Sequence, residues 1–166
     1  MAANIKPIQV DNSIGGWGSD YIRHGLEASS QSWKVGAPLV VSSGYLIQAT
    51  TSTSAKSGIV GIALAPATGT QGSDVPYAPL IPGLVFSGTV DGTLVGGNAP
   101  GTGSLSQANM YTGGTLQKDA ASGLWFFNNT ATGDFIFIAA NPPDQPVGTV
   151  NGLVKVQFLQ AISIVP

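Results

Sequence analysis

Residues able to carry acid–base or nucleophilic chemistry are few in this sequence. His24 is its single histidine, and the chain contains no cysteine. A Ser–His–Asp triad needs a histidine as its base, so any such triad would depend on His24, which lies between Arg23 and Gly25. The G-x-S-x-G motif, which places a nucleophilic serine on a sharp turn, does not occur. The sequence therefore argues against a hydrolase triad.

The acidic residues lie mostly in turn-forming contexts. Glu27 is the only glutamate, and the aspartates occur in settings such as VDN, GSD and VDG, where a carboxylate bonds the backbone of a turn. Neither a glycosidase pair facing across a cleft nor a zinc site is indicated. Calcium held by turn aspartates and carbonyls is the one metal that this pattern leaves open. We predict no enzyme activity, no cofactor and no metal site.

The distribution of basic and apolar residues argues against nucleic acid and membrane as partners. The net charge is −2, and the six basic residues are scattered instead of forming a stripe along a phosphate backbone. No run approaches the roughly 18–20 apolar residues of a spanning helix. The first ten residues also lack the apolar core of a signal peptide. We therefore predict no nucleic-acid and no membrane partner.

The low content of charged residues is the most informative part of the composition. Charged residues make up 8% of the chain, whereas a typical soluble domain has roughly 25%. A free monomer normally uses surface charge to stay soluble and to avoid association. The composition therefore favours a subunit that functions within an assembly.

β-branched and aromatic runs between Gly, Pro, Asn and Ser clusters dominate from Trp33 onward and predict short strands. Leu39–Val41 and Tyr45–Ala49 are predicted strands joined by the turn SSG, and TLQK and LWFFNN are predicted to form a hairpin through DAASG. The segment DFIFIAA is apolar on both faces, which indicates a strand that is buried on two sides or lies in a barrel wall. Pro76, Pro79 and Pro82 favour a sheet edge or a bulge for their segment.

The stretch SGIVGIALAPATG, residues 57–69, carries no charge and is mostly apolar residues and glycine. It is too short and too interrupted by glycine to cross a membrane, so we predict a buried strand. Gly61 is expected to mark a bulge or a close approach of another backbone. Gly58–Pro66 also aligns with Asp134–Pro142, which indicates a candidate internal two-fold repeat. Chance is the alternative, because β proteins often reuse the same turn residues.

These patterns predict an all-β fold in which residues 33–166 form a single compact β domain of eight to ten short strands. A β-barrel and a β-sandwich, β-tulip-like in form, both fit the pattern. Residues 1–32 are predicted to form an extended N-terminal arm. Within the arm, a short helix over about Ser19–Glu27 and an irregular segment are both open, because Gly25 weakens the helix.

Aromatic residues divide between the predicted core and predicted contact surfaces. Trp33 is expected to pack inside the β domain, whereas Trp17 lies in the glycine-rich segment GGWGSD of the arm. Aromatic residues and arginine contribute most of the energy of many interfaces. We therefore predict that residues of the arm contact a partner, the candidates being Ile14, Trp17, Tyr21, Ile22, Arg23 and His24.

The segment VGAPLVVSSGYLIQAT, followed by SGIVGIALAPATGTQGSDVPYAPLIPG, resembles the head decoration, or cement, proteins of tailed bacteriophages. In that family a strand, a turn and a second strand lead into a G-I-V-G-I-A strand, and a G-S-D-V loop and another strand follow. The resemblance covers roughly residues 33–90, with a weaker echo over residues 111–165. The long arm and the proline-rich VPYAPLIPG do not map onto the family pattern.

The resemblance implies a non-enzymatic virion protein, made in the host cytoplasm, that binds the capsid exterior. Its partner would be the major capsid protein, with a homo-oligomer, a trimer favoured, as its own state, and its role would be to stabilise the shell against internal DNA pressure. Another virion module, such as a tail, fibre or capsid component, is one alternative. A carbohydrate-binding β-sandwich, with Trp125 stacking on sugar, is another.

Overall fold

A computed structural model describes ten segments of the chain. They are residues 5–11, 21–50, 58–81, 83–91, 94–95, 99–100, 104–109, 112–129, 135–140 and 148–158. All strands named below lie in these segments, which also contain a 3-10 turn, Gln107–Asn109. The all-β prediction is confirmed.

The first sheet has five strands and holds the middle of the chain. They are β2 (Arg23–Leu26), β3 (Pro38–Ser42), β4 (Tyr45–Gln48), β5 (Ile59–Ala63) and β6 (Asp74–Pro79). The strand order is β2-β6-β5-β3-β4, and every one of these neighbours is antiparallel. The turn between β3 and β4 contains Ser43 and Gly44, both at positive φ. This confirms the predicted SSG hairpin.

The second sheet has six strands. They are β1 (Gln9–Val10), β7 (Val85–Asp91), β10 (Gly113–Lys118), β11 (Trp125–Asn128), β12 (Phe135–Ala140) and β13 (Leu153–Phe158), in the order β1-β7-β11-β10-β12-β13, and β7 also pairs with β13. A small hairpin of β8 (Leu94–Val95) and β9 (Ala99–Pro100) follows β7. The two sheets pack together as a β-sandwich-like fold, and the described strands do not form one closed barrel.

The core is continuous between the sheets. Trp33 is only 2% exposed, as predicted, and its indole Nε1–H donates to the carbonyl of Ala65 at 3.2 Å. Side chains of both sheets join the same cluster, among them Leu39, Ile62, Phe86 and Val156. Burial of such side chains supplies the main driving force of folding, at about 1.5–3 kcal/mol for each large one.

The two sheets contain the same five-stranded unit twice. In chain order, β2 to β6 form the first unit, and β7, β10, β11, β12 and β13 form the second. In both units the first strand pairs with the fifth, the fifth with the fourth, the fourth with the second and the second with the third, always antiparallel. In both units the first strand also meets the third in parallel. The alignment of β5 with β12 in sequence is therefore part of a structural repeat.

A glycine on the first strand of each unit supports this equivalence. A Cβ on Gly25 would lie 2.8 Å from Leu46 Cδ1, and a Cβ on Gly88 would lie 2.8 Å from Phe127 Cε2. Leu46 and Phe127 occupy the third strand of their respective units. In each unit, therefore, the glycine on the first strand leaves space for a large apolar side chain from the third strand of the same unit.

β5 is buried along its whole length, as the charge-free stretch predicts. All five residues of Ile59–Ala63 are buried. The pairing of β5 with β3 shifts register between Leu39 and Val40, opposite Gly61 and Ile59. A Cβ on Gly61 would lie 2.4 Å from the carbonyl oxygen of Ala78. Gly61 therefore combines both expected features, a bulge and a close backbone approach.

The prediction that the proline-rich segment lies at a sheet edge is wrong, because β6 runs between β2 and β5. The carbonyl of Pro76 still accepts a bond from Leu64 N at 3.0 Å, one residue beyond the end of β5. On the other side of β6, β2 begins at Arg23, opposite Tyr77, so no residue of β2 lies opposite Pro79. Pro76 and Pro79 therefore lack an N–H where the neighbouring strand has ended, so they cost no ladder bond. Pro82 lies outside the described residues.

Parts of the predicted N-terminal arm belong to the sheets, since Gln9–Val10 forms β1 and Arg23–Leu26 forms β2. β1 pairs with β7, and Ile8 is 1% exposed. Gly36 makes room for this segment, because a Cβ there would lie 2.6 Å from Ile8 N. The helix considered over Ser19–Glu27 is wrong for Arg23–Leu26, which forms a strand because pairing with β6 overrides the weak helical preference.

The turn between β10 and β11 confirms the second predicted hairpin and depends on Asp119. Its Oδ1 accepts from Ala121 N at 3.2 Å and its Oδ2 from Ser122 N at 2.8 Å. Burial works against the charged form, but hydrogen bonds from the Ser122 hydroxyl and the two backbone amides outweigh it and lower the pKa of Asp119. The charged carboxylate therefore stabilises the hairpin.

Asp119→Asn is expected to destabilise the protein by about 1–2 kcal/mol at pH 7, because hydrogen bonds to a charged acceptor are lost. The pKa of Asp119 is lower in the folded state than its unfolded value of about 3.9. The contribution is therefore complete above about pH 5 and is lost as the pH falls through the folded pKa. Urea unfolding of both proteins at pH 7, 5 and 3 measures this, and a difference that stays constant down to pH 3 would contradict it.

Candidate interaction surface

The described part of the predicted contact set lies on β2 and just before it. Tyr21 is 42% exposed, Ile22 is half-buried, and Arg23 and His24 are exposed. Leu26, at the end of the strand, is 49% exposed. We call these five residues together with Asp74 of β6 the β2 surface. Ile14 and Trp17 lie outside the described residues.

Pairing with β6 sets which way the side chains of β2 point. Gly25 faces inward against Leu46, so His24 and Leu26 face outward on the other side of the strand. His24 is opposite Pro76, and Leu26 is opposite Asp74. The outward row of β2 therefore alternates an apolar side chain with a polar one.

A contact between His24 and Asp74 spans the two strands on this outward face. His24 Nδ1 lies 2.6 Å from Asp74 Oδ2, and the two side chains are 55% and 62% exposed. Exposed polar pairs of this kind contribute little to stability. The pair does, however, hold the imidazole and the carboxylate together beside the exposed Leu26. The β2 surface thus offers apolar and charged groups side by side.

The opposite face of the same strands carries Arg23 and Tyr77, which are cross-strand partners. Burial raises the pKa of the Tyr77 hydroxyl, and the nearby positive charge of Arg23 works in the opposite direction. Tyr77 therefore stays a neutral hydroxyl, and the guanidinium is the fixed charge at the exposed end of this face.

Glu27 connects β2 to the loop that leads into β6. The side chain is fully buried, its Oε2 accepts from the amide and the hydroxyl of Thr68, both at 2.9 Å, and its Oε1 accepts from Gly69 N at 2.6 Å. Its own N–H donates to Ser73 O at 2.8 Å. The carboxylate therefore fixes the loop that delivers Asp74 to the β2 surface.

His24 and Asp74 form an exposed pair on an outward sheet face. In the part of the chain that the structure describes, no group of three His, Asp or Glu residues could hold a metal ion.

The β2 surface contains residues that the sequence analysis named and others that it did not. Tyr21, Ile22, Arg23 and His24 lie on β2 or just before it, and their role as contacts stays a prediction. Leu26 and Asp74 were missed. The alternation of Ile22, His24 and Leu26 is a strand signal, but the neighbouring Gly25 and Glu27 obscured it, and nothing local in the sequence brings Asp74 beside His24.

No protein-family model matches this chain. A search of curated proteins found no match either. The described residues include no helix that is long and apolar enough to span a membrane. The function is therefore inferred from composition, the fold and the β2 surface.

Proposed function

We propose that this chain is a non-enzymatic structural protein of a virion. It binds the outer surface of an assembled capsid, contacts the major capsid protein, and stabilises the shell against the pressure of packaged DNA. It is made in the host cytoplasm and acts as a homo-oligomer, with a trimer favoured. The resemblance of residues 33–90 to phage head decoration proteins suggests this assignment.

The β2 surface is the observation that carries the proposal. Its outward face carries Leu26, which is 49% exposed, half-buried Ile22 and the His24–Asp74 pair. Tyr21, which is 42% exposed, and exposed Arg23 lie at the start of the strand, and tyrosine and arginine are enriched at interface centres. Because only 8% of the residues are charged, the chain has little surface charge to oppose association with a partner. Repetition over a lattice would make a weak contact at each copy sufficient.

The carbohydrate-binding alternative loses the residue on which it depended. Trp125 is 2% exposed, inside the core between the sheets, so its ring is not available to stack on a sugar. Another virion module, such as a tail or fibre component, has no separate observation in its favour.

Mixing the purified chain with undecorated capsids of the virus that encodes it is expected to give saturable binding at a fixed number of copies for each capsid subunit. The decorated capsids are expected to resist heat or low ionic strength better than bare ones. Cosedimentation counts the bound copies, and electron microscopy of purified virions locates them. Absence of binding, or density on the tail alone, would overturn the proposal.

A further inference from the structure

The structural repeat shows how an additional strand fits beside the first strand of a unit. In the second unit, β1 pairs antiparallel with β7, Gln9 opposite Ser87 and Val10 opposite Phe86. Asp11 N extends the ladder to Val85 O at 2.8 Å. The strand is short because β11 occupies the rest of the same edge of β7, at Val90 and Asp91.

The corresponding edge of β2 can be identified residue by residue. Gly25 pairs with Val75 as Gly88 pairs with Val154. Glu27 meets Leu46 in parallel as Val90 meets Phe127. By the same register, His24 corresponds to Ser87, the residue beside which β1 adds.

The backbone of His24 faces this edge. Glu27 N bonds Ser73 O at 2.8 Å on the β6 side, and backbone groups alternate in an antiparallel ladder. The N–H and C=O of His24 therefore point away from β6, as its position opposite Pro76, which has no N–H, also requires. Among the described strands, β4 alone reaches this edge, and it does so at Glu27.

A second copy of this chain does not fit the edge well. A twofold pairing of β2 centred on Arg23 would put two arginines opposite each other, and like charges directly opposite are destabilising. If the twofold axis passed through His24, the second β2 would reach Leu26. That position is next to β4, which is bonded there from Ala28 N to Leu46 O at 3.0 Å, so the second strand would collide with β4. The strand β1 of a second copy is already paired in its own sheet.

We propose that the edge of β2 at His24 binds an extended segment of the capsid subunit as an added antiparallel strand. Such a strand takes its affinity from main-chain hydrogen bonds and its specificity from alternate side chains. Its side chains on the His24 face would be apolar, to contact Ile22 and Leu26, and the residue opposite Arg23 would be acidic. This inference rests on the proposed function and names the site through which the chain binds the capsid.

The variant His24→Pro tests the inference, because it removes the edge N–H and leaves the bonds to β6 in place. Proline is tolerated on edge positions of this kind, and the extended backbone of Arg23 suits a residue that precedes proline. His24→Ala is the matched comparison, since it also removes the imidazole but keeps the backbone N–H, so the difference between the two variants isolates the N–H. Capsid cosedimentation is expected to show that His24→Pro binds about tenfold or more weakly than His24→Ala.

Amide hydrogen exchange of the wild-type protein gives a readout that requires no variant. The His24 amide is expected to become protected when undecorated capsids are added. Binding by His24→Pro equal to the wild type, together with an unprotected His24 amide, would overturn the inference and leave the proposed function standing. A wild-type protein that binds no capsid would overturn both. If the wild-type protein self-associates and His24→Pro is a monomer, a second copy of the chain occupies the edge. That result would overturn the inference that a capsid segment binds there.

Discussion

Gly61→Ala is expected to destabilise the protein by about 3 kcal/mol or more. The new Cβ would lie 2.4 Å from the carbonyl oxygen of Ala78 and 2.4 Å from Tyr77 Cδ2. The carbonyl belongs to β6, which is held on both sides by β2 and β5, so it cannot move without breaking ladder bonds. Overpacking of a rigid site usually costs 1–3 kcal/mol, and a backbone clash lies at the upper end of that range or above it.

Thermal unfolding with urea titration measures the effect, and a loss of about 3 kcal/mol corresponds to roughly 6–12 °C in Tm for a chain of this size. Gly25→Ala is the matched control, because its Cβ would meet a side chain and no backbone, at 2.8 Å from Leu46 Cδ1 and 3.0 Å from Leu46 Cγ. That side chain can rotate, so we expect a loss of about 1 kcal/mol. Equal losses in the two variants would contradict the view that the backbone of β6 sets the constraint at Gly61.

The difference between these glycines also shows what the sequence could predict. β5 was predictable because a short apolar run without any charge is expected to be buried, and the glycine within it indicated a steric requirement. The β3–β4 and β10–β11 hairpins were predictable because Ser-Ser-Gly and Asp-Ala-Ala-Ser-Gly have the backbone preferences that tight turns require. Each of these signals is local, so each could be recognised without knowing the topology.

β2 and β6 could not be predicted in the same way, because their signals depend on partners distant in sequence. Gly25 weakens a strand in isolation and belongs there only because Leu46 fills its place. The prolines of β6 look incompatible with an interior strand until the ends of β5 and β2 are known. The candidate surface was therefore predicted as a contact region of an arm, whereas its geometry, a paired strand with one edge facing outward, needed the structure.

The same dependence on topology makes Glu27 a structural requirement for the β2 surface. Its carboxylate has no exposure and accepts three hydrogen bonds, two from Thr68 and one from Gly69. Glu27→Ala is expected to cost about 2–3 kcal/mol, because the hydrogen bonds to this buried acceptor would be lost, while the donors on exposed Thr68 and half-buried Gly69 can turn to water. Denaturant unfolding at pH 7 measures this loss.

A deletion of residues 1–32 would remove Glu27 together with β1 and β2, so point variants separate folding from binding better than truncation does. Asp74→Asn is the matched acidic control, since this carboxylate is 62% exposed and its ion pair contributes at most about 1 kcal/mol. Glu27→Gln keeps the size of the side chain but places an amide N–H against a donor, so its stability should fall between those of Glu27→Ala and the wild type. If Glu27→Ala were no less stable than Asp74→Asn, the carboxylate would not anchor the 68–73 loop, and the position of Asp74 on the β2 surface would need another cause.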